Sequence, residues 1–252
     1  MAKTGRARSA KARKAGGAGK ARGASKTGGV RKTGPVRKTG GAAGRVFLLS
    51  PANLGGIRAR MMLSPNARFE LARQLQSEAG ARLGEIFSFV SGLYFRGKLA
   101  YARRFARPPD PTDPVTASGV LVITSNAGLR SVDTVVTVES FRSFATGDIA
   151  LRNQTYRKPL EQSAVALRDA VGPDCEVVLL GSVASGKYVD LLLPIFGDRL
   201  MFPPDFVGRG DMSRGGLMLR CVMAEFELPY VPLAGASRHG ARPPKLEPLK
   251  RR

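Results

Sequence analysis

The sequence predicts an α/β fold: a single three-layer domain with a mainly parallel sheet, carrying disordered basic tails at both ends. Three observations carry that prediction. Glu176–Leu180 and Gly119–Ser125 are short runs rich in Val, Leu and Ile with no alternating polar positions, as strands covered on both faces require. Apolar stripes at helical spacing alternate with such runs along the chain. The charge is also segregated. Of a formal net charge of +22 over 252 residues, Met1–Arg45 holds 14 Lys/Arg and no acid, and Ala236–Arg252 holds six basic residues and one acid, leaving +3 for residues 46–235.

The domain plan is therefore an arm at 1–45, an α/β domain at 46–235 and a basic tail at 236–252. Within the arm, Lys26-Thr27-Gly28-Gly29-Val30-Arg31 recurs as Lys32-Thr33-Gly34-Pro35-Val36-Arg37 and begins again at Lys38. A repeat of this composition buries too little apolar area to offset its chain entropy, so disorder is expected. Lys26, Arg31, Lys32, Arg37 and Lys38 are the expected phosphate-neutralising residues, since uncompensated positive blocks bind nucleic acid. A merely solubilising tail is the plainer reading.

Other classes are disfavoured. The only cysteines, Cys175 and Cys221, sit in apolar runs and read as buried free thiols, and the one histidine, His239, lies in the basic tail. Neither a disulfide scaffold nor a His-cluster metal site or Ser-His-Asp triad in the body follows from that set. No apolar stretch approaches the ~20 residues of a spanning helix. A cytoplasmic, nucleoid-associated protein without membrane, metal or cofactor is expected.

Structure is expected to begin at Arg45–Ser50, a strand closing on Pro51-Ala52-Asn53-Leu54-Gly55-Gly56. Ser64-Pro65 reads as a helix start, with Phe69, Leu71, Ala72, Leu75 and Ala79 at helical spacing after it. Helices are expected near 82–90 and 94–106, the second ending before Pro108-Pro109. Arg96, Lys98, Arg103, Arg104 and Arg107 on it read most simply as a solvated basic face. After the Gly119–Ser125 strand and the turn Asn126–Arg130, a short strand at 134–138 and a helix at 156–171 are predicted. A strand–turn–helix at 176–195 follows, then a strand at 199–202, a helix at 212–226 and a last strand near 228–233.

In a parallel sheet the turns after the early strands share one rim, where ligands of open α/β folds bind. Three small, hydroxylated turns supply candidate phosphate- or nucleotide-binding residues: Asn53; Ser125, Asn126 and Gly128; and Gly181, Ser182, Ser185, Gly186 and Lys187. Tight turns also need small residues for geometry alone. By spacing, Gly181–Lys187 fits a phosphate-cradling loop, but Tyr188 stands where magnesium needs a hydroxyl. Arg209, Asp211 and Arg214, set among glycines, read either as an anion fork with a base or as a helix cap with its ion pair. Lys187 and Asp211 are the candidate catalytic residues.

Leu93-Tyr94-Phe95-Arg96-Gly97-Lys98, then Val122–Leu129, then Val178–Gly181 with Lys187-Tyr188, resembles a family of small bacterial and phage α/β domains of unknown function. Its pattern is an LY-x-x-x-x-F helix followed by a strand ending in L-S-A-x-x-G-L. Here Thr124-Ser125-Asn126-Ala127 replaces the usual turn, and the basic or His residue frequent there is missing. The resemblance implies an α/β fold and a nucleotide- or nucleic-acid-related role. The arm resembles the lysine-rich arms of histone-like nucleoid proteins. The leading expectation is a nucleic-acid-associated protein whose rim binds a nucleotide, base or phosphate. An enzyme on a small phosphorylated or nucleoside substrate, and a scaffolding domain without a small-molecule site, stay open.

Overall fold

The structure is a computed structural model that describes residues 44–247; the arm residues proposed to meet nucleic acid lie outside the described residues. In chain order the elements are β1 (Arg45–Leu49), α1 (Ile57–Leu63), α2 (Glu70–Gln76), β2 (Ala81–Arg82), α3 (Leu83–Ser91), α4 (Leu93–Phe105), β3 (Val120–Ile123), β4 (Leu129–Ser131) and β5 (Val135–Val136). Then come α5 (Val138–Thr146), α6 (Gln154–Val171), β6 (Glu176–Leu180), α7 (Gly186–Phe196), β7 (Leu200–Phe202), α8 (Asp211–Met223) and β8 (Val231–Pro232).

Six strands form one sheet in the order β4-β3-β1-β6-β7-β8. The four middle strands are parallel and the two edge strands antiparallel, so the fold is α/β with a mainly parallel sheet. β2 and β5 form a separate antiparallel pair. β1, β3 and β6 are buried along their whole length, including Arg45 and Glu176, the charged first residues of β1 and β6.

The period of two along each strand divides the sheet's side chains between two apolar clusters. Phe47, Leu49, Val120, Val122, Val178 and Leu180 join residues of α1 to α5 and α8. Val46, Leu48, Leu121, Ile123, Val177 and Leu179 join α6 and α7. The helices leaving β1 lead to β3 on one side of it; the helix leaving β6 leads to β7 on the other. The strand order therefore reverses between β1 and β6, and a crevice opens at their C-terminal ends.

Helix α4 is tied to α8 by two glycines. A Cβ at Gly97 would lie 2.6 Å from the Gly215 carbonyl oxygen, and one at Gly215 would lie 2.9 Å from the Leu93 carbonyl oxygen. Only hydrogen at both positions lets the backbones meet this closely. Gly92, at φ +66°, turns the chain from α3 into α4.

Some expected boundaries move. The helix expected from Ser64-Pro65 starts only at Glu70, and the preceding segment holds a further helix, α1. The turn expected at Asn126–Arg130 includes the start of edge strand β4. Arg45, counted with the arm by charge, is the buried first residue of β1, bonded through Nε to Glu176 Oε2 at 2.9 Å and through Nη1 to Glu227. From Ala236 to Glu247 the chain has no helix or strand, and its Pro244 carbonyl accepts from Arg209 Nη1 at 3.4 Å.

Candidate functional site

A cleft of about 540 Å³ lies over the C-terminal ends of β1, β3 and β6. The turn after β1 supplies Ser50, Asn53 and Gly55, the turn after β3 supplies Ser125, the turn after β6 supplies Ser182, and the start of α7 brings Lys187 and Tyr188. Asp211, at the start of α8, Tyr94 of α4 and Ser91 of α3 add further polar lining; Leu54, Phe87, Phe144 and Ile149 form apolar wall.

Of the residues nominated from sequence, Asn53, Ser125, Ser182, Lys187 and Asp211 share this cleft. Asn126 lines a neighbouring cleft, where its Nδ2 donates to the Ser143 carbonyl at 3.1 Å. Gly128, at φ +68°, packs against the Pro159 carbonyl of α6, so its lack of a side chain serves the turn. Gly186 lies against the Asp190 carboxylate one helical turn on, and Ser185 caps α7 with no side-chain hydrogen bond. Gly181 sits beside Ser50: a Cβ there would lie 2.9 Å from Ser50 Cβ and 3.2 Å from Ser50 Oγ. Any larger residue would press on the Ser50 side chain.

The two arginines do local work. Arg214 is buried and forks through Nε and Nη2 onto the Phe206 carbonyl at 3.1 and 3.0 Å, with Nη1 3.5 Å from Asp211. Arg209 donates through Nε to the Asp205 carbonyl at 3.0 Å and through Nη1 to Ser213 Oγ at 3.3 Å. Tyr188, in the magnesium-hydroxyl position of the loop motif, is buried against the α6 side of the sheet.

Two residues are not legible as site residues in the sequence: Lys98, packed behind Ser50, and Tyr94, in the cleft lining. Lys98 is not on a solvated face: it is 1% exposed, the most buried charged side chain described. Its Nζ donates to the Ser50 carbonyl at 2.5 Å and to Ser50 Oγ at 2.8 Å, and lies 4.4 Å from the centre of the Tyr94 ring. The sequence reads it outward because it stands on α4 with the cations Arg96, Arg103 and Arg104. Burial pulls its pKa from 10.5 down to about 7; Asp211 opposes that fall and Arg214 adds to it. Tyr94, four residues earlier and so one turn along the same helix face, is 8% exposed. Its hydroxyl is buried without a hydrogen-bond partner among the described residues. Burial pushes it up to about 12, so it stays a donor at neutral pH. A sequence signal for both did exist: Gly97 inside a helix marks a close backbone approach, which covers its neighbours.

No protein-family model, curated protein or solved structure matches this chain. Among the described residues no group of His, Cys, Asp or Glu is arranged to hold a metal ion, and no helix is long and apolar enough to cross a membrane. Cys175 and Cys221 are free and buried.

Proposed function

We propose that this chain binds a small anionic ligand of the nucleotide or sugar-phosphate class in the rim cleft, and associates with nucleic acid through its Lys/Arg-rich ends. One observation carries the cleft reading: Ser50, Asn53, Ser125, Ser182 and Lys187, from three separate turns, converge at the point where the strand order reverses. That crevice is where open α/β sheets hold ligands. The first turn of α7 adds backbone N–H groups and a favourable dipole for an anion, and Lys187 adds a positive charge. Charge segregation supports the nucleic-acid reading, since the ends hold almost the whole excess of +22. A three-layer arrangement agrees with the division of sheet residues between two clusters, each with its own helices.

Thermal unfolding of the full chain with inorganic phosphate, nucleoside mono- to triphosphates and sugar phosphates tests the cleft. A ligand at a hundredfold excess over its Kd stabilises by about 2.7 kcal/mol. At least one compound is expected to raise Tm saturably, and Lys187→Ala to remove most of the rise. No shift with any compound, or a shift untouched by Lys187→Ala, overturns the reading and favours a scaffolding domain.

A further inference from the structure

Behind the Ser50 wall of the cleft lies a buried lysine that ligand binding alone does not need. Ser50 lines the cleft, and its Oγ is 2.8 Å from Nζ of a lysine with almost no exposure. A buried ammonium beside a neutral hydroxyl and a carbonyl is poorly compensated, because no carboxylate touches it. As a neutral amine, the same nitrogen donates one N–H to the Ser50 carbonyl and offers its lone pair to the Ser50 hydroxyl. The geometry is satisfied in both protonation states, which a proton-accepting group requires. Gly181 adds no side chain against Ser50 Oγ, 3.2 Å from where its Cβ would lie, and Ser50 is itself 6% exposed. Tyr94 is among the residues lining the same cleft, and its hydroxyl is buried without a hydrogen-bond partner among the described residues.

We infer that Ser50 is a nucleophile and Lys98 its general base, in the hydrolysis of a small carboxylic ester seated in the rim cleft. The inference rests on the cleft being a ligand site, with Lys187 placed to meet an anionic group of the ester. Ser50 Oγ attacks the ester carbonyl carbon as its proton passes to Lys98 Nζ. Tyr94 donates a hydrogen bond to the oxygen that becomes negative. The carbon–oxygen bond to the alcohol then breaks, and the Lys98 ammonium protonates the departing alkoxide. Water attacks the acyl-serine, Lys98 takes its proton, and Ser50 leaves as an alkoxide that recovers the proton from Lys98. The net change is ester plus water to acid plus alcohol. The amine fraction available near neutrality follows from the depressed pKa of Lys98, about 7. The groups acting on it are Ser50 from the turn after β1, Tyr94 and Phe95 from its own helix, and Asp211 and Arg214 from α8.

The test is labelling of the full native chain with a fluorophosphonate, which phosphonylates activated serines, followed by peptide mapping and hydrolysis of p-nitrophenyl acetate. The adduct is expected on Ser50, forming faster as pH rises through about 7, and Lys98→Met is expected to slow it by about 100-fold. Circular dichroism checks that the variant folds. Absence of an adduct on Ser50 in the wild-type chain overturns the inference without any variant, as does labelling in folded Lys98→Met at the wild-type rate. Ligand-induced stabilisation without Ser50 labelling would sink this inference and leave the ligand site standing. Ser50 labelling without any phosphorylated ligand would keep the nucleophile and reject the anionic-ligand reading.

Discussion

Replacing Lys98 by Met removes the buried amine while keeping an unbranched side chain of similar length. The folded-state pKa of about 7 lies below the ordinary 10.5, so between these values the unfolded chain binds more protons than the folded one. Stability of the wild type therefore rises with pH across that window, and the penalty for burying the ammonium is fully present below pH 7. At about 1.4 kcal/mol per pKa unit, the Lys98 contribution changes by roughly 3 kcal/mol between pH 7 and pH 9.5. The variant has no such term. Its stability relative to wild type is expected to be greatest near pH 6 and to fall by about that amount by pH 9.5. Urea unfolding followed by far-UV circular dichroism measures this, since the chain has no tryptophan. Taking the difference between the two proteins cancels the other titrating groups they share. A difference that stays flat from pH 6 to pH 9.5 would mean that Lys98 keeps its ordinary pKa when folded and is not penalised by burial.

Three further perturbations reach other parts of the account. Gly215→Ala puts a methyl group against the Leu93 carbonyl and Tyr94 Cα, both 2.9 Å from the new carbon, and should lower unfolding stability by about 1–3 kcal/mol in urea melts. Glu176→Gln removes the charge facing the buried Arg45 guanidinium. Glu227 still contacts Arg45, so the loss should sit near the low end for a broken buried pair, about 3 kcal/mol, in the same measurement. Changing Lys26, Arg31, Lys32, Arg37 and Lys38 together to Gln should reduce the slope of log affinity against log salt for duplex DNA by up to about 4. Filter binding across a salt series checks it, and an unchanged slope would place the phosphate contacts elsewhere.

Elements whose burial is decided locally were legible. β3 and β6 are continuous apolar runs, and α3, α4, α6 and α7 have apolar stripes bounded by glycine or proline, so local pattern and tertiary role agree. Helix α1 was not legible: Ile57 and Met61 are exposed, two arginines interrupt it, and only Ala59 and Met62 are buried. The α5 segment has just Phe141 buried and gives a similarly weak stripe. At the site, sequence reading found the turns because small polar residues between apolar runs are visible in one dimension. It could not place Arg214, whose carbonyl partner Phe206 lies on a separate turn, or bring Lys98 inside. The burial of Lys98 depends on α8, 113 or more residues later in the chain, meeting α4 at Gly97 and Gly215. Such a coincidence of two distant glycines leaves no periodic trace around the lysine itself.

The most direct test of the rim site is backbone amide shift mapping by NMR on the full chain, titrated with the phosphorylated compound that stabilises it most. The account predicts saturable shifts at Asn53, Gly55, Ser182 and Lys187, from turns joined only by the fold. Shifts confined to Lys26–Lys38, with the cleft amides unmoved, would contradict it and show that the anion merely meets the basic arm.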